Sequence, residues 1–146
     1  MPISPCQWLT FLPPSRPREQ VKFLDHKQPS NLPDKSIVNV LITIPPNGAS
    51  PPHTHHGAAV TALMHKGVAR NQMNDDPPFL SRPGEAFFES PGCHHILSEN
   101  ASEDPNEEAV FFASLVLDTK IIEEEGYEAL VVVDAEVEEQ RKQGKH

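Results

Sequence analysis

At 146 residues the chain is long enough for one domain with a real core and too short for two comfortable ones. A net charge of −9 and the lack of any basic cluster exclude phosphate-backbone binding, so no nucleic-acid partner is expected. Sixteen prolines against seven glycines exclude a long-helix protein, because each internal proline ends or kinks a helix.

The opening "MPISPCQWLTFLPPSRP" lacks a charged leader region, and its apolar run is broken by Pro13 and Pro14, so it does not read as a signal peptide. No apolar run approaches a membrane span. Cys6 and Cys93 are the only cysteines, too few for a disulfide framework, and both are read as reduced. Together these features predict a soluble cytoplasmic protein with no membrane partner.

Residues 1–35 are rich in proline and show little periodicity; they read as an N-terminal arm packed on the domain or on a partner subunit, or as a disordered lead. "SIVNVLITI" (36–44) is β-branched and bounded by Asp34 and by "PPNG", which marks a strand. "AVTALMH" (59–65) and "VARNQMN" (68–74) follow as strands, joined by a tight turn in which Gly67 supplies unusual backbone angles. After the loop "DDPPFLSRPGE" (75–85) come the short strand "AFFE" (86–89), the turn "SPGC" and the extended segment "HHILSE" (94–99). A polar loop (101–108) leads into "AVFFASLVLD" (109–118), the strongest strand, and "YEALVVVD" (127–134) is the last. Residues 135–146 read as a charged tail or frayed helix. Short strands punctuated by turns, without a long amphipathic helix, predict an all-β barrel or sandwich over 36–134.

The chemistry concentrates in "PPHTHHGAAVTALMHKG" (51–67). On a strand, residues i and i+2 share a face, so His53 and His55 project together while Thr54 and His56 face away. Two imidazoles on one face, with a third from a segment folding back alongside, make a catalytic-type metal site, and His95 after the "SPGC" turn is the natural third ligand. The competing reading is an exposed polar loop, or imidazoles satisfied by ordinary hydrogen bonds. By the same alternation His94 points away from His95. A local register shift would exchange His56 for His55, and His65 reads as a surface or turn residue. Glu89 lies close to the His95 turn as an orienting group or general base, or as a plain exposed carboxylate. Cys93 reads as a buried structural thiol. Val60, Ala62 and Met64 are expected to line an apolar substrate pocket beside the metal.

Two stretches together resemble the motifs of the cupin superfamily, and in particular small single-domain proteins of the RmlC-like barrel type. "GASPPHTHHGAAVTALMHKG" places Gly48, His53-Thr54-His55, Val60 and Gly67 at nearly the spacing of the first cupin motif, with four residues rather than five after the first glycine. "GEAFFESPGCHHILSEN" places Gly84, Ser90-Pro91-Gly92, His95 and Glu99 at the spacing of the second. The resemblance implies a cupin β-barrel (double-stranded β-helix, or jelly roll), a homodimer in the family habit, and one divalent transition metal held by His53, His55 and His95, with Fe(II) favoured over Zn, Mn or Ni. Val60 stands where cupins usually carry a glutamate ligand, and Ser90 and Glu99 replace a proline and an asparagine. A three-histidine set leaves the charge of the ion uncompensated, which favours small enolic, catecholic or carboxylic substrates, including polyketide-type enols. The implied activities are a dioxygenase, a non-redox decarboxylase, isomerase or cyclase at the same site, or a non-catalytic cupin that binds a small ligand.

Overall fold

The computed structural model describes residues 16–143; the first part of the expected arm, with Cys6, and the last three residues lie outside them. Eleven strands run in chain order: β1 (Gln20–Lys27), β2 (Lys35–Ile44), β3 (Ala49–Ser50), β4 (His53–Thr54), β5 (Ala59–Lys66), β6 (Ala69–Met73), β7 (Phe79–Ser81), β8 (Ala86–Glu89), β9 (His95–Asn100), β10 (Ala109–Asp118) and β11 (Val132–Val133). They form two antiparallel sheets. One has the order β1-β2-β10-β5-β8; the other has the order β11-β4-β9-β6-β7, with β3 pairing β9. The architecture is the all-β barrel that the resemblance implied.

The core lies between the sheets and follows strand alternation. In β10, Ala109, Phe111, Ala113, Leu115 and Leu117 are buried, and in β5 Val60, Ala62 and Met64 are. Val38, Val40 and Ile44 of β2 close the same layer. β10 is the spine of its sheet, hydrogen-bonded along its length to β2 on one side and β5 on the other. Three of its outward residues, Val110, Phe112 and Val116, are also apolar, and Phe112 sits beside Leu63 on an exposed outer face, which blurs the alternation in "AVFFASLVLD".

Three elements differ from the sequence expectation. Residues 20–27, expected within the arm, pair with β2 as an edge strand of the barrel, carrying a register irregularity between Phe23 and Asp25. That break, and the exposure of Val21, Phe23 and Leu24, hide the strand from a periodicity argument. Residues 119–125 form a short helix, α1 (Thr119–Glu125), which buries Ile122 and is stopped by Gly126, whose N–H donates to the Ile122 carbonyl. Most of the expected last strand is instead a 3-10 turn (Tyr127–Leu130), leaving only two residues in β11. The terminal helix α2 (Ala135–Gln143) matches the helical alternative for the tail. Among the described residues no helix is long and apolar enough to cross a membrane.

Gly67 does the work expected of it. It has φ of 69°, and a Cβ there would collide with the carbonyl oxygen of Glu108, so only glycine fits where β5 turns into β6.

Candidate metal centre

His53, His55, Glu89 and His95 are brought together inside the barrel, each offering one ligand atom, all within 4.8 Å of one another. His53 stands on β4 directly opposite His95 on β9. His55 lies just beyond β4, at the first position of a tight turn closed by the Ala58 N–H on the His55 carbonyl, with φ of 57° at His56 and 79° at Gly57. It is this turn, rather than strand alternation alone, that sends His55 inward and His56 outward. His56 Nε2 lies 3.0 Å from a Glu125 carboxylate oxygen on α1.

Glu89 is the residue the sequence undervalued. It is 3% exposed, and one carboxylate oxygen lies 3.1 Å from His55 Nε2 and 3.1 Å from His95 Nδ1. Its position answers the question raised by Val60: on the paired strands β5 and β8, Val60 and Glu89 are direct cross-strand partners. The carboxylate missing from β5 therefore arrives from the neighbouring strand. The expectation of a carboxylate-free, three-histidine environment is corrected accordingly. A signal was present in "AFFE": alternation places Phe87 and Glu89 on one face, and Phe87 is core.

Each histidine has one ring nitrogen tied to a carbonyl-type acceptor. His53 Nδ1–H donates to the Pro51 carbonyl oxygen at 2.7 Å, and His55 Nδ1–H donates to that of Leu130 at 2.7 Å. His95 Nε2–H donates to Asn71 Oδ1 at 3.0 Å, and the Asn71 amide donates in turn to Ser81 Oγ at 3.3 Å. These bonds fix the tautomers, leaving His53 Nε2, His55 Nε2 and His95 Nδ1 as bare lone pairs. Buried side-chain atoms without a hydrogen-bond partner are few among the described residues, and three of the four are His55 Nε2, Glu89 Oε1 and His95 Nδ1. Two bare nitrogens and a carboxylate oxygen 3.1 Å apart repel one another unless a metal cation or a proton lies among them. The donor set, imidazole and carboxylate, suits a divalent transition metal.

In the metal-free cluster a proton on His55 can take the place of a cation beside Glu89. Burial first, then the neighbouring His95 and His55, push His53 from its ordinary 6.5 down to about 4. Burial also acts to lower His55, but the Glu89 carboxylate and the Leu130 carbonyl outweigh it and hold His55 above its ordinary value. For Glu89 burial acts to raise the pKa, and the contacts to His55 and His95 overcome it, holding the carboxyl well below the carboxylate range.

The remaining sequence candidates sit elsewhere. Val60 lines the cavity above the cluster, whereas Ala62 and Met64 pack in the core and do not reach that cavity. His94 is half-exposed and bonded to the Asp134 carboxylate at 2.9 Å. His65 is exposed on β5. Cys93 is buried, its thiol pushed up by burial and then by Glu89 and Asp76. Glu99 pairs with Arg16 at 2.9 Å, away from the cluster. Asn71, wholly buried on β6, and the Leu130 carbonyl were not anticipated, although the alternation Ala69, Asn71, Met73 puts an amide on the inner face of "ARNQM".

Compared with known proteins, the sequence model of the family described as "Cupin domain" matches residues 40–112, half of the chain. No curated protein matches the sequence. Among solved structures, the cupin domain of Schizosaccharomyces pombe Cnp3 is similar with a TM-score of 0.57 at 14% identity, over 74% of this chain and 67% of that one. An RmlC-like cupin family protein with a double-stranded β-helix fold from Methanocaldococcus jannaschii gives 0.55 at 15% identity, over 72% of this chain and 85% of that one. A conserved protein with a double-stranded β-helix domain from Klebsiella pneumoniae gives 0.54 at 17%, over 75% and 84%. At these identities the likeness is one of fold.

Proposed function

The chain belongs to the cupin family, and on that footing we propose that it is a metal-dependent enzyme acting on a small enolic, catecholic or carboxylic substrate, with dioxygenase chemistry as the leading reading. The observation that carries the proposal is the set of bare ligand atoms on His55, Glu89 and His95, joined by His53, at the wall of an apolar cavity. A divalent metal there would supply a Lewis-acid centre with open positions for substrate oxygens, and as Fe(II) it would add the capacity to use dioxygen. The chain itself supplies the rest. His53, His55 and His95 hold the ion in fixed ring orientations, Glu89 offsets part of its charge, and the apolar walls keep bulk water away.

The position of Glu89 also favours a second reading, a non-redox decarboxylase, isomerase or cyclase. Glu89 lines the cavity, so its carboxylate stands within reach of a proton on a bound substrate. A homodimer belongs to the same proposal, since β1 is an edge strand with half-exposed Val21 and Phe23, and sedimentation of the full chain tests it.

Elemental analysis of untagged protein, purified without chelators, separates the readings. About one equivalent of iron with substrate-dependent oxygen uptake on enolic or catecholic acids supports the dioxygenase. Zinc, manganese or nickel with turnover but no oxygen uptake supports the second reading. Failure to hold any of these metals after reconstitution overturns both and leaves a ligand-binding protein. The variant His95→Ala is expected to lose the metal.

A further inference from the structure

The cavity over the four-residue cluster has a volume of about 230 Å³. A cavity of about 150 Å³ is enough to hold benzene, so this one has room for a single ring with a chelating head. Its walls come from Val40 and Ile42 of β2, Phe111, Ala113 and Leu115 of β10, and Leu130 of the 3-10 turn. Outside the cluster itself, the charged residues lining it among the described residues are Glu19 and Glu128, with no lysine or arginine among them. Glu19 is already engaged by Arg18 at 3.3 Å, so that guanidinium is committed as well. Tyr127, at the rim, has its hydroxyl bonded to His26 Nδ1 at 2.9 Å and its ring against Phe23, centroids 4.7 Å apart. It therefore presents a ring rather than a free donor to an incoming molecule.

We propose that the substrate is an oxygen chelator with a single compact, uncharged apolar body and no second anionic group. This rests on the metal reading above and narrows its substrate class. A carboxylate or phosphate at the far end of the molecule would be desolvated against aliphatic walls, meeting Glu19 and Glu128 and no lysine or arginine among the described lining residues. A sugar would find, beyond the cluster, only Ser50, Ser98 and the carboxylates of Glu19 and Glu128 for its hydroxyls among the described lining residues, too few polar groups for a polyol against otherwise apolar walls. Phosphorylated, dicarboxylic and carbohydrate substrates are disfavoured; a monocyclic enol or phenol with adjacent oxygens fits.

The test uses Zn(II)-reconstituted protein and three probes that share one β-diketone head: acetylacetone, benzoylacetone, and benzoylacetone carrying a para carboxylate. Calorimetric titration is expected to show benzoylacetone binding at least tenfold tighter than either of the others, the phenyl ring gaining from burial and the carboxylate losing it. In Glu128→Lys the ratio between the phenyl and carboxyphenyl probes is expected to narrow at least threefold. Metal-dependent binding in which the carboxylated probe equals or exceeds benzoylacetone, or in which acetylacetone matches it, overturns this inference alone. Probes that bind equally well with and without the metal overturn the metal reading, and this inference with it.

Discussion

Replacing Asn71 with alanine tests whether the cluster is a metal centre or merely a set of packed polar residues. Asn71 is fully buried on β6 and touches no candidate metal position; its Oδ1 accepts the His95 Nε2–H at 3.0 Å. Without that acceptor, His95 keeps a buried N–H with no partner and is free to present either tautomer. The unmet donor costs the metal-free fold about 1–3 kcal/mol, with a smaller addition for the small cavity left behind. The metal loses more specifically: removing a group that orients a histidine ligand lowers affinity about 10- to 100-fold. Ser81→Ala is the control, since Ser81 Oγ touches only the amide nitrogen of Asn71, at 3.3 Å. It is expected to reduce stability while changing metal affinity less than about threefold. Urea unfolding in excess chelator measures the first quantity, and competition with a chromophoric chelator for Zn(II) measures the second. A folded Asn71→Ala protein that binds Zn(II) as tightly as wild type would sink the argument that fixed tautomers aim these rings at a common ion.

Glu89→Gln keeps the shape but removes the charge 3.1 Å from His55 and His95, and is expected to lower Zn(II) affinity at least about tenfold in the same competition assay. Moving the carboxylate back across the strand pair, as Val60→Glu with Glu89→Val, should recover part of that loss, because the two positions face each other with Cβ atoms about 5 Å apart; no recovery would mean the site needs the β8 approach. In metal-free protein, His53 has a folded pKa near 4 against 6.5, so the unfolded chain binds the extra proton and stability falls by up to about 3 kcal/mol between those pH values. His55, whose pKa is raised, acts in the opposite sense, its contribution being complete below 6.5 and lost as pH rises through its folded value; His53→Asn should flatten the acid limb of a urea-stability profile, and an unchanged limb would contradict the assignment. Gly67→Ala forces a side chain into a left-handed turn and against the Glu108 carbonyl, and thermal unfolding should register a loss of about 2–4 kcal/mol.

The barrel was legible because its strands are short, β-branched and separated by turn residues, features set by local chemistry. β1 was not. Its residues are mostly exposed, its pairing breaks at Phe23, and its stability comes from hydrogen bonds to β2 rather than from burial of its own side chains. The α1 helix is hidden for a similar reason: a seven-residue helix with one buried residue, Ile122, leaves no period to detect. His53, His55 and His95 were legible by spacing, although the pairing of β4 with β9 that sets His53 against His95 joins residues 42 positions apart. No local pattern contains that contact.

The miss at Glu89 has a different origin, and it says what kind of information a motif carries. A motif fixes positions along one strand, whereas the centre is assembled across strands, where two facing positions occupy nearly the same place in space. Val60 read alone implies a missing ligand; Val60 read with Glu89, its partner across the β5–β8 ladder, implies a ligand delivered from the other side. The chemical consequence follows from that exchange. With a divalent ion bound, Glu89 would remove one unit of the charge that a three-histidine set would leave on it, so the ion would not need a strongly anionic substrate to balance it. Selection of the substrate would then pass to the cavity walls, which are mostly aliphatic and aromatic and carry no lysine or arginine among the described residues. On that reading the position of one carboxylate would link the metal's electronic demand to the kind of molecule the barrel can admit.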